Sequence, residues 1–400
     1  MKPKFAAPLV LAAGALSLSA CSVLSAATSN DMNADTASNS VSSGVITATS
    51  NVDKNTNLAA GKSIQITAQD PWVVESVTTT GANGTTEDQG LALTVWKSPP
   101  VDPGQMTTVR VTMLNAQTGD TQVIQRNVIG GPAQHTYTAT VTPPKGTYGV
   151  GVIPEVEFSK SVPVSSRAEL ASHLSVTSTP TAVAGGWRWI SDTTVAWRPT
   201  SGFWPARQTV TVKADIANVR INGTKSDSGY SWGSSNSSST FKVGRAMIIN
   251  LNGKTDQGYA TVDGKTVRKF GTSLGKSGYE TRSGIKTILE RYEVTRMTNV
   301  GVTNDSVYDL QVPYAMRMTT SGEFLHAAPW DGEIGYANTS HGCSHLTMSD
   351  AYYFYQKALE YDPVITKGTG RQMETDNGRG ALWNVPAAKW VNYATAKPTA

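Results

Sequence analysis

The sequence places a cysteine between two histidines, and a further histidine lies seventeen residues before that cysteine. His341, Cys343 and His345 stand in the segment SHGCSH, and His326 precedes them. A free thiol has a pKa of about 8.5 and becomes a strong nucleophile once a neighbouring base takes its proton. Imidazole is the side chain best matched to that task near neutral pH. These residue types predict acyl transfer through a thioester on Cys343, with a histidine as the base.

Gly342 directly precedes the candidate nucleophile. A glycine lets the main chain turn tightly, so we expect the N–H groups of Gly342 and Cys343 to face a developing oxyanion. Zinc binding is the competing interpretation, because histidine and cysteine are also zinc ligands. A zinc site would need a fourth ligand and would not explain the glycine. Acyl transfer needs neither a metal nor an organic cofactor, and none is expected.

The N-terminal residues predict export. Lys2 and Lys4 precede an apolar run, residues 6–18, that is too short to cross a bilayer. The run ends in Leu18-Ser19-Ala20-Cys21, which resembles a bacterial lipobox. We therefore expect a signal peptide at residues 1–20 and lipid on Cys21, which would anchor the protein to the outer face of the cytoplasmic membrane. An ordinary cleaved signal is the alternative.

Lipid on Cys21 would leave Cys343 as a lone thiol, because the chain has two cysteines. A lone thiol in an exported protein is either buried and inert or kept for its reactivity. The surrounding histidines and glycine favour reactivity. The formal net charge of +4 is mild and gives no indication of nucleic-acid binding.

Composition and periodicity predict a mainly β protein of several domains. Residues 21–57 are rich in Ser, Thr, Ala and Asn and predict a flexible tether. Alternating apolar positions and turn residues then predict two immunoglobulin-like β-sandwiches, at 58–141 and 142–243. Five tryptophans of the second sandwich are expected in its core rather than on a sugar-binding surface. The Ser- and Gly-rich run 226–240 is interpreted as a loop or linker.

The C-terminal part continues as short strands with one helix. Residues 244–367 are expected to form the domain that carries Cys343, and 368–400 an extension packed on it. Thr347 to Asp350 fits a helix-capping pattern before the segment 351–359. A short helix is therefore expected directly after the cysteine.

Several segments together resemble the catalytic domain of L,D-transpeptidases, the YkuD-type fold, in its mycobacterial-type branch. The segment SHGC with His326 upstream carries the likeness. The flanking sequences 326–330 and 338–343, the segment 281–286 and Trp383-Asn384 with Trp390 extend it. The two preceding sandwiches are similar to the immunoglobulin-like modules of that branch. The resemblance implies a mainly β fold: two immunoglobulin-like sandwiches, then a β-rich catalytic domain with one short helix after the cysteine.

The resemblance also implies roles for individual residues. Cys343 would be the nucleophile, His326 its base, and the main-chain carbonyl of Ala327 would orient that base. His341 and Gly342 would shape the catalytic site. Substrate contacts would come from a lid tyrosine, the floor and wall of the pocket, and the motif itself: Tyr308, Ser321, Gly322, Trp330, Ser340 and His345.

One position departs from the family pattern. The branch usually has asparagine two residues after the cysteine, and this chain has His345. Substrate contacts at this position are therefore open, and a second imidazole competes with His326 for the role of base.

The implied reaction is a 3→3 cross-link between peptidoglycan stem peptides. Cys343 would attack the diamino-acid carbonyl of a donor tetrapeptide and release D-alanine, and the side-chain amine of an acceptor stem would then attack the thioester. The resemblance also implies acylation of Cys343 by carbapenems. L,D-carboxypeptidase or wall-anchoring activity at the same site are alternatives, and a non-catalytic envelope lipoprotein is a third. Papain-like peptidases fit less well, since in them the cysteine usually precedes the histidine.

Overall fold

The computed structural model describes residues 45–47, 55–82, 84–223, 229–298 and 307–390. The predicted mainly β architecture is confirmed: two β-sandwiches precede a β-rich third domain, and a helix follows the cysteine segment. No helix within these ranges has the length and apolar character needed to cross a membrane. The predicted signal peptide and Cys21 lie outside the described residues.

The first sandwich has two sheets with strand orders β1-β3-β6 and β2-β8-β7-β4-β5. Its strands are β1 Val45–Thr47, β2 Asn55–Leu58, β3 Ser63–Thr67, β4 Trp72–Gly81, β5 Gly84–Asp88, β6 Val95–Pro100, β7 Met106–Asn115 and β8 Thr121–Gly130. Alternate residues of β7, among them Val109 and Met113, are buried between the sheets, as period-two patterning requires.

The N-terminal boundary of this sandwich differs from the prediction. The sequence predicts a tether up to residue 57, but β1 and β2 lie within that range. Strand β1 pairs in parallel with β3, and β2 pairs in parallel with β8. Strand β1 has the sequence Val45-Ile46-Thr47, and β2 ends at Leu58, which is buried in the core of the sandwich. Short stretches within a Ser- and Asn-rich segment can therefore join the sheets by main-chain pairing.

The second sandwich has sheets ordered β10-β12-β15-β14 and β11-β19-β16-β13, with a small third sheet β17-β18-β9. Its elements are β9 Thr136–Tyr137, β10 Ala139–Thr142, β11 Thr147–Tyr148, β12 Glu155–Phe158, α1 Val164–Ser172, β13 Leu174–Thr179, β14 Gly185–Trp189, β15 Thr194–Pro199, β16 Thr209–Ala214, β17 Arg220–Asn222, β18 Tyr230–Gly233 and β19 Ser237–Val243. It begins slightly before the predicted residue 142, because β9 and β10 pair with its own strands.

The tryptophans of this sandwich are buried, as predicted, at positions 187, 189, 197, 204 and 232. Residues 226–228 lie outside the described residues, and the expectation of a loop is wrong for much of the rest of the run 226–240, because 230–233 and 237–240 lie in β18 and β19. Ser239 is buried there, and its hydroxyl donates to the Pro143 carbonyl at 2.6 Å. A serine whose hydroxyl is bonded inside the sandwich can occupy an inward-facing strand position.

The third domain contains a six-stranded sheet, β22-β21-β20-β28-β23-β29, and a four-stranded sheet, β24-β25-β26-β27. Its elements are β20 Met247–Asn252, β21 Gln257–Val262, β22 Lys265–Gly271, β23 Arg282–Thr287, β24 Glu290–Thr298, β25 Asp309–Arg317, β26 Phe324–Ala327, β27 Ser344–Leu346, α2 Met348–Lys357, β28 Pro363–Lys367 and β29 Arg371–Gln372. Thr347 caps α2 as predicted, since its hydroxyl accepts from the Asp350 N–H.

The C-terminal extension is predicted to pack on the domain that carries Cys343, and in the structure it also contacts the second sandwich. The first of two short 3₁₀ helices, Arg379–Asn384, lies against both the second sandwich and β23. The second, Ala387–Lys389, is bonded to the second sandwich, where Arg188 donates to the Lys389 carbonyl. The indole N–H groups of Trp383 and Trp390 donate to the carbonyls of Gly151 and Gly186 in the second sandwich, at 2.8 and 2.7 Å. The extension therefore joins the two domains.

Candidate active site

Two parallel strands, β26 and β27, bring the candidate catalytic residues together. His326 on β26 is the register partner of His345 on β27. Because Cys343 directly precedes β27, its side chain lies beside the residues that lead into β26. Pairing of two short strands distant in sequence thus places the thiol and both imidazoles in one neighbourhood.

The Cys343 thiol is half-buried and is held between two main-chain groups. Its sulfur donates to the Gly322 carbonyl at 3.8 Å, and the Phe324 N–H donates to the sulfur. Burial raises the pKa of this thiol to about 11, although the Phe324 N–H acts in the opposite direction. The cysteine is therefore protonated at neutral pH before substrate arrives.

His326 is buried, with 2% of its surface exposed. Its Nδ1 lies 2.8 Å from the Ala327 carbonyl, which can only accept, so Nδ1 carries the proton and Nε2 is the basic nitrogen. Burial and the neighbouring His345 lower the pKa of His326 to about 3. The imidazole is thus neutral at rest, and the Ala327 carbonyl fixes its tautomer.

Seven of the eleven predicted site residues line one cavity of about 380 Å³. They are Tyr308, His326, Trp330, Ser340, His341, Cys343 and His345. The His341 ring packs against Tyr279 and Tyr308, with centroid distances of 4.7 and 5.4 Å. Trp330 is 46% exposed and its ring lies 6.2 Å from that of His326, so it forms an accessible wall.

Ser321 and Gly322 occupy different positions from those expected. Ser321 is exposed, and its hydroxyl and main-chain N–H are bonded to Asn377 rather than directed into the cavity. Gly322 contributes its carbonyl to the thiol. Its φ of 97° lies in the region that favours glycine, so the turn that presents this carbonyl depends on the missing side chain.

The predicted oxyanion hole requires a correction. The Gly342 N–H donates to Ser340 Oγ at 3.0 Å, and that hydroxyl donates to the Cys343 carbonyl at 2.7 Å. Gly342 adopts a φ of 119°, which permits this tight turn. The Gly342 N–H is therefore occupied, and the hydroxyl of Ser340, which also lines the cavity, is bonded within the turn. The Cys343 N–H has no acceptor among the described residues.

Sequence reasoning missed Asp331, which binds the second imidazole. Its Oδ2 lies 2.6 Å from Nδ1 of His345, and it also accepts from the Thr339 hydroxyl at 2.8 Å. Burial opposes ionisation of Asp331, yet hydrogen bonds from His345, the Glu333 N–H and Thr339 together hold its pKa below the ordinary value. Asp331 directly follows Trp330 in the sequence, but nothing in that spacing pairs it with a histidine fourteen residues later.

Sequence reasoning also missed a buried ion cluster behind the thiol. Glu323 lies between Gly322 and Phe324. Its carboxylate forms ion pairs with Lys286 Nζ at 2.7 Å and with Arg282 Nη1 at 2.9 Å. Lys286 is completely buried, and this burial lowers its pKa although Glu323 acts to raise it. The segment 281–286 belongs to the family resemblance, but charged residues are ordinarily expected at the surface. The cluster fixes the residues whose main chain holds the sulfur.

The zinc alternative has no support from the geometry of the described ranges. Within them, no group of three or more His, Cys, Asp or Glu side chains is arranged to hold a metal ion. Cys21, the predicted lipidation site, lies outside those ranges.

Comparison with known proteins gives the family. Residues 245–366 match the family model described as the L,D-transpeptidase catalytic domain, and residues 45–220 match that of a bacterial Ig domain. L,D-transpeptidase 5 of Mycobacterium tuberculosis is 29% identical over 63% of this chain and 55% of its own length. L,D-transpeptidase 2 of the same organism is 31% identical over 60% of this chain and 58% of its own length.

The chain thus spans little more than half the length of these two relatives. Probable L,D-transpeptidase 3 of Mycobacterium tuberculosis is covered almost completely, being 30% identical over 61% of this chain and 95% of its own length. The matched catalytic model includes both His326 and Cys343. On sequence and on the order of its domains, the chain belongs to the L,D-transpeptidase family.

Proposed function

We propose that this protein is a peptidoglycan L,D-transpeptidase that forms 3→3 cross-links through a thioester on Cys343. One observation carries the proposal: the thiol, an imidazole with its basic nitrogen fixed by Ala327, and an accessible aromatic wall meet in a single cavity. A cavity of this kind suits a peptide donor whose carbonyl must approach the sulfur. Membership of the family supports the same reaction.

In the first step His326 takes the thiol proton as Cys343 attacks the carbonyl of the donor diamino acid. A neutral thiol beside a neutral imidazole favours proton transfer in concert with attack, rather than a resting ion pair. The Cys343 N–H is the donor best placed to bind the oxyanion. The protonated imidazole then gives its proton to the amine of the departing D-alanine. The donor stem remains bound to Cys343 as a thioester.

In the second step the side-chain amine of an acceptor stem attacks the thioester and restores the thiol. Water in place of the amine would make the enzyme an L,D-carboxypeptidase, and another amine would make it a wall-anchoring enzyme. Tyr308 and Trp330, which both line the cavity, are the side chains expected to bind the stems and to exclude water.

We also propose that the protein acts outside the cytoplasmic membrane, attached through lipid on Cys21. The lipobox-like sequence and the preceding apolar run support this proposal. Replacement of Cys21 by alanine should release the protein from the membrane fraction without changing the activity of the purified protein. Retention of this variant in the membrane fraction would contradict lipidation at Cys21.

Mass spectrometry with a defined disaccharide-tetrapeptide donor tests the function directly. The expected products are a cross-linked dimer and free D-alanine, with an acyl-enzyme mass on Cys343. Tripeptide without dimer would instead identify a carboxypeptidase. A carbapenem should give one adduct on the native protein that Cys21→Ala retains and Cys343→Ala loses. A folded wild-type protein that forms neither acyl-enzyme nor adduct would contradict the proposal.

A further inference from the structure

The second half of the proposed reaction releases one proton more than the thiol can accept. An alkyl amine has a pKa of about 10.4 and therefore arrives as an ammonium group at neutral pH. It must lose one proton to become nucleophilic and a second as the amide forms. The departing sulfur takes up one of the two, so the other must pass from the site to solvent.

His326 is poorly placed to carry both protons. It is 2% exposed, and its Nδ1 is bonded to a carbonyl that cannot take the proton further. The His345 side chain, which is 12% exposed, lines the same cavity and is tied through Nδ1 to the Asp331 carboxylate at 2.6 Å. Its Nε2 is therefore the basic nitrogen. Burial lowers the pKa of His345, so the ring is neutral at rest, and the Asp331 carboxylate acts in the opposite direction by stabilising the imidazolium that forms on protonation.

We infer that His345 and Asp331 form a second acid–base dyad that deprotonates the acceptor ammonium, separate from the use of His326 in thioester formation. This inference rests on the proposed transpeptidase function. The family resemblance implies an asparagine at this position, and an amide nitrogen is not basic because its lone pair is delocalised. The substitution by histidine therefore adds a chemical capability.

The proton and electron movements balance with these two bases. His345 Nε2 takes the first proton from the ammonium and passes it to solvent. The neutral amine then attacks the thioester carbonyl, forming the C–N bond. The C–S bond breaks, and its electron pair stays on sulfur. His326 Nε2 takes the second N–H proton and delivers it to the sulfur, so the thiol and both neutral imidazoles are restored.

Separate measurement of the two half-reactions tests the assignment. The acylation rate is followed with a carbapenem, and transfer is followed from a preformed acyl-enzyme of the tetrapeptide donor to an acceptor stem. His345→Asn and Asp331→Asn should lower the ratio of transfer rate to acylation rate by at least roughly tenfold, because general base catalysis commonly contributes about 100-fold or more. The exposed His135 of the β9 region provides a matched control, and His135→Asn should leave the ratio unchanged.

A second acceptor distinguishes proton removal from simple positioning. Methoxyamine is already neutral near pH 7 and needs no base before attack. The deficit of His345→Asn should therefore shrink markedly with methoxyamine, whereas a lost contact to the acceptor stem would not be rescued by it. Equal slowing of acylation and transfer, or an undiminished deficit with methoxyamine, would overturn the inference. Failure of the wild-type protein to form any acyl-enzyme would instead contradict the proposed function.

Discussion

The imidazoles of His326 and His345 lie side by side, with ring centroids 4.8 Å apart, because the two residues are register partners on parallel strands. Their Nδ1 atoms have different partners, a main-chain carbonyl for His326 and the Asp331 carboxylate for His345. The two rings are thus neighbours with different electrostatic environments. Adjacent bases of this kind suit different steps of one reaction.

The first prediction concerns which imidazole activates the thiol. His326→Gln should slow acylation by a carbapenem by about 100-fold, because it removes the general base of thiol attack. His345→Gln should change the same rate by no more than about threefold, since His345 with Asp331 is assigned to deprotonation of the acceptor ammonium and not to thiol attack. Stopped-flow loss of carbapenem absorbance gives both rates. Equal losses in the two variants would show that the thiol has no single base.

The second prediction concerns the protonation of the resting thiol. Because burial raises the thiol pKa to about 11, the thiolate fraction should rise roughly tenfold for each pH unit below that value. The pKa of His326 is lowered to about 3, so this imidazole is already neutral above pH 5 and its titration adds no inflection to the pH profile of alkylation. Alkylation of the free enzyme by iodoacetamide should therefore accelerate steadily from pH 6 to pH 10.

Urea-unfolded protein is the internal control for that profile. Its exposed thiol has an ordinary pKa of about 8.5, so its alkylation rate should level off above about pH 9. A plateau for the native enzyme between pH 5 and pH 8 would instead reveal a resting thiolate–imidazolium pair, contrary to the expected neutral state.

The third prediction concerns the ion cluster behind the thiol. Lys286→Met removes one of two cations from the buried Glu323 carboxylate, and loss of one partner of a buried pair destabilises by about 3–5 kcal/mol. The free energy of unfolding in urea measures the loss. The double variant Lys286→Met/Glu323→Gln should recover part of it, because the uncompensated charge is gone.

An exposed ion pair of the same domain provides the comparison. Arg296 and Asp309 form two hydrogen bonds of 2.7 Å on the surface, and Arg296→Gln should change the free energy of unfolding by less than about 1 kcal/mol. If Lys286→Met were equally mild, Glu323 would not depend on Lys286 for compensation. The inferred support of the sulfur-binding segment would then be lost as well.

Local sequence carried the prediction of the nucleophile, because Cys343, Gly342 and His341 are adjacent and His326 is a rare residue type nearby. Periodicity likewise predicted the sandwiches, since apolar residues at alternate positions must face a core. Asp331 and Glu323 were not predictable in this way. Each gains its role from a partner brought near by folding, His345 in one case and Lys286 in the other, and carboxylates elsewhere in the chain look identical in sequence.

The first and last parts of the folded region were mispredicted for related reasons. Strands β1 and β2 are short β-forming stretches within a segment rich in Ser, Thr and Asn, and overall composition does not reveal their pairing with β3 and β8. The C-terminal extension was expected on the catalytic domain alone. Its tryptophans indicated burial, but only the fold shows that their N–H groups bond to carbonyls of the second sandwich.

The last prediction concerns this junction between domains. Arg198 of the second sandwich is buried and donates to the carbonyls of Leu382 and Val385 at 2.8 and 2.6 Å, with its guanidinium 4.2 Å from the Trp390 ring. On the other side, Asn384 exchanges two hydrogen bonds of 2.8 Å with the main chain of Ile285 in β23. The C-terminal extension is thereby bonded to both domains.

Arg198→Met should therefore weaken the coupling of the two domains as well as the stability of one. It leaves the Val385 carbonyl without a donor, at about 1–3 kcal/mol, whereas the Leu382 carbonyl keeps the Val385 N–H as a donor. Calorimetry should show two separated unfolding transitions in place of closely coupled ones, because the catalytic domain no longer shares the buried extension with the sandwich. Arg110→Gln, on an exposed position of β7, should leave the profile unchanged. A uniform downward shift of all transitions in Arg198→Met would mean that Arg198 stabilises the second sandwich alone.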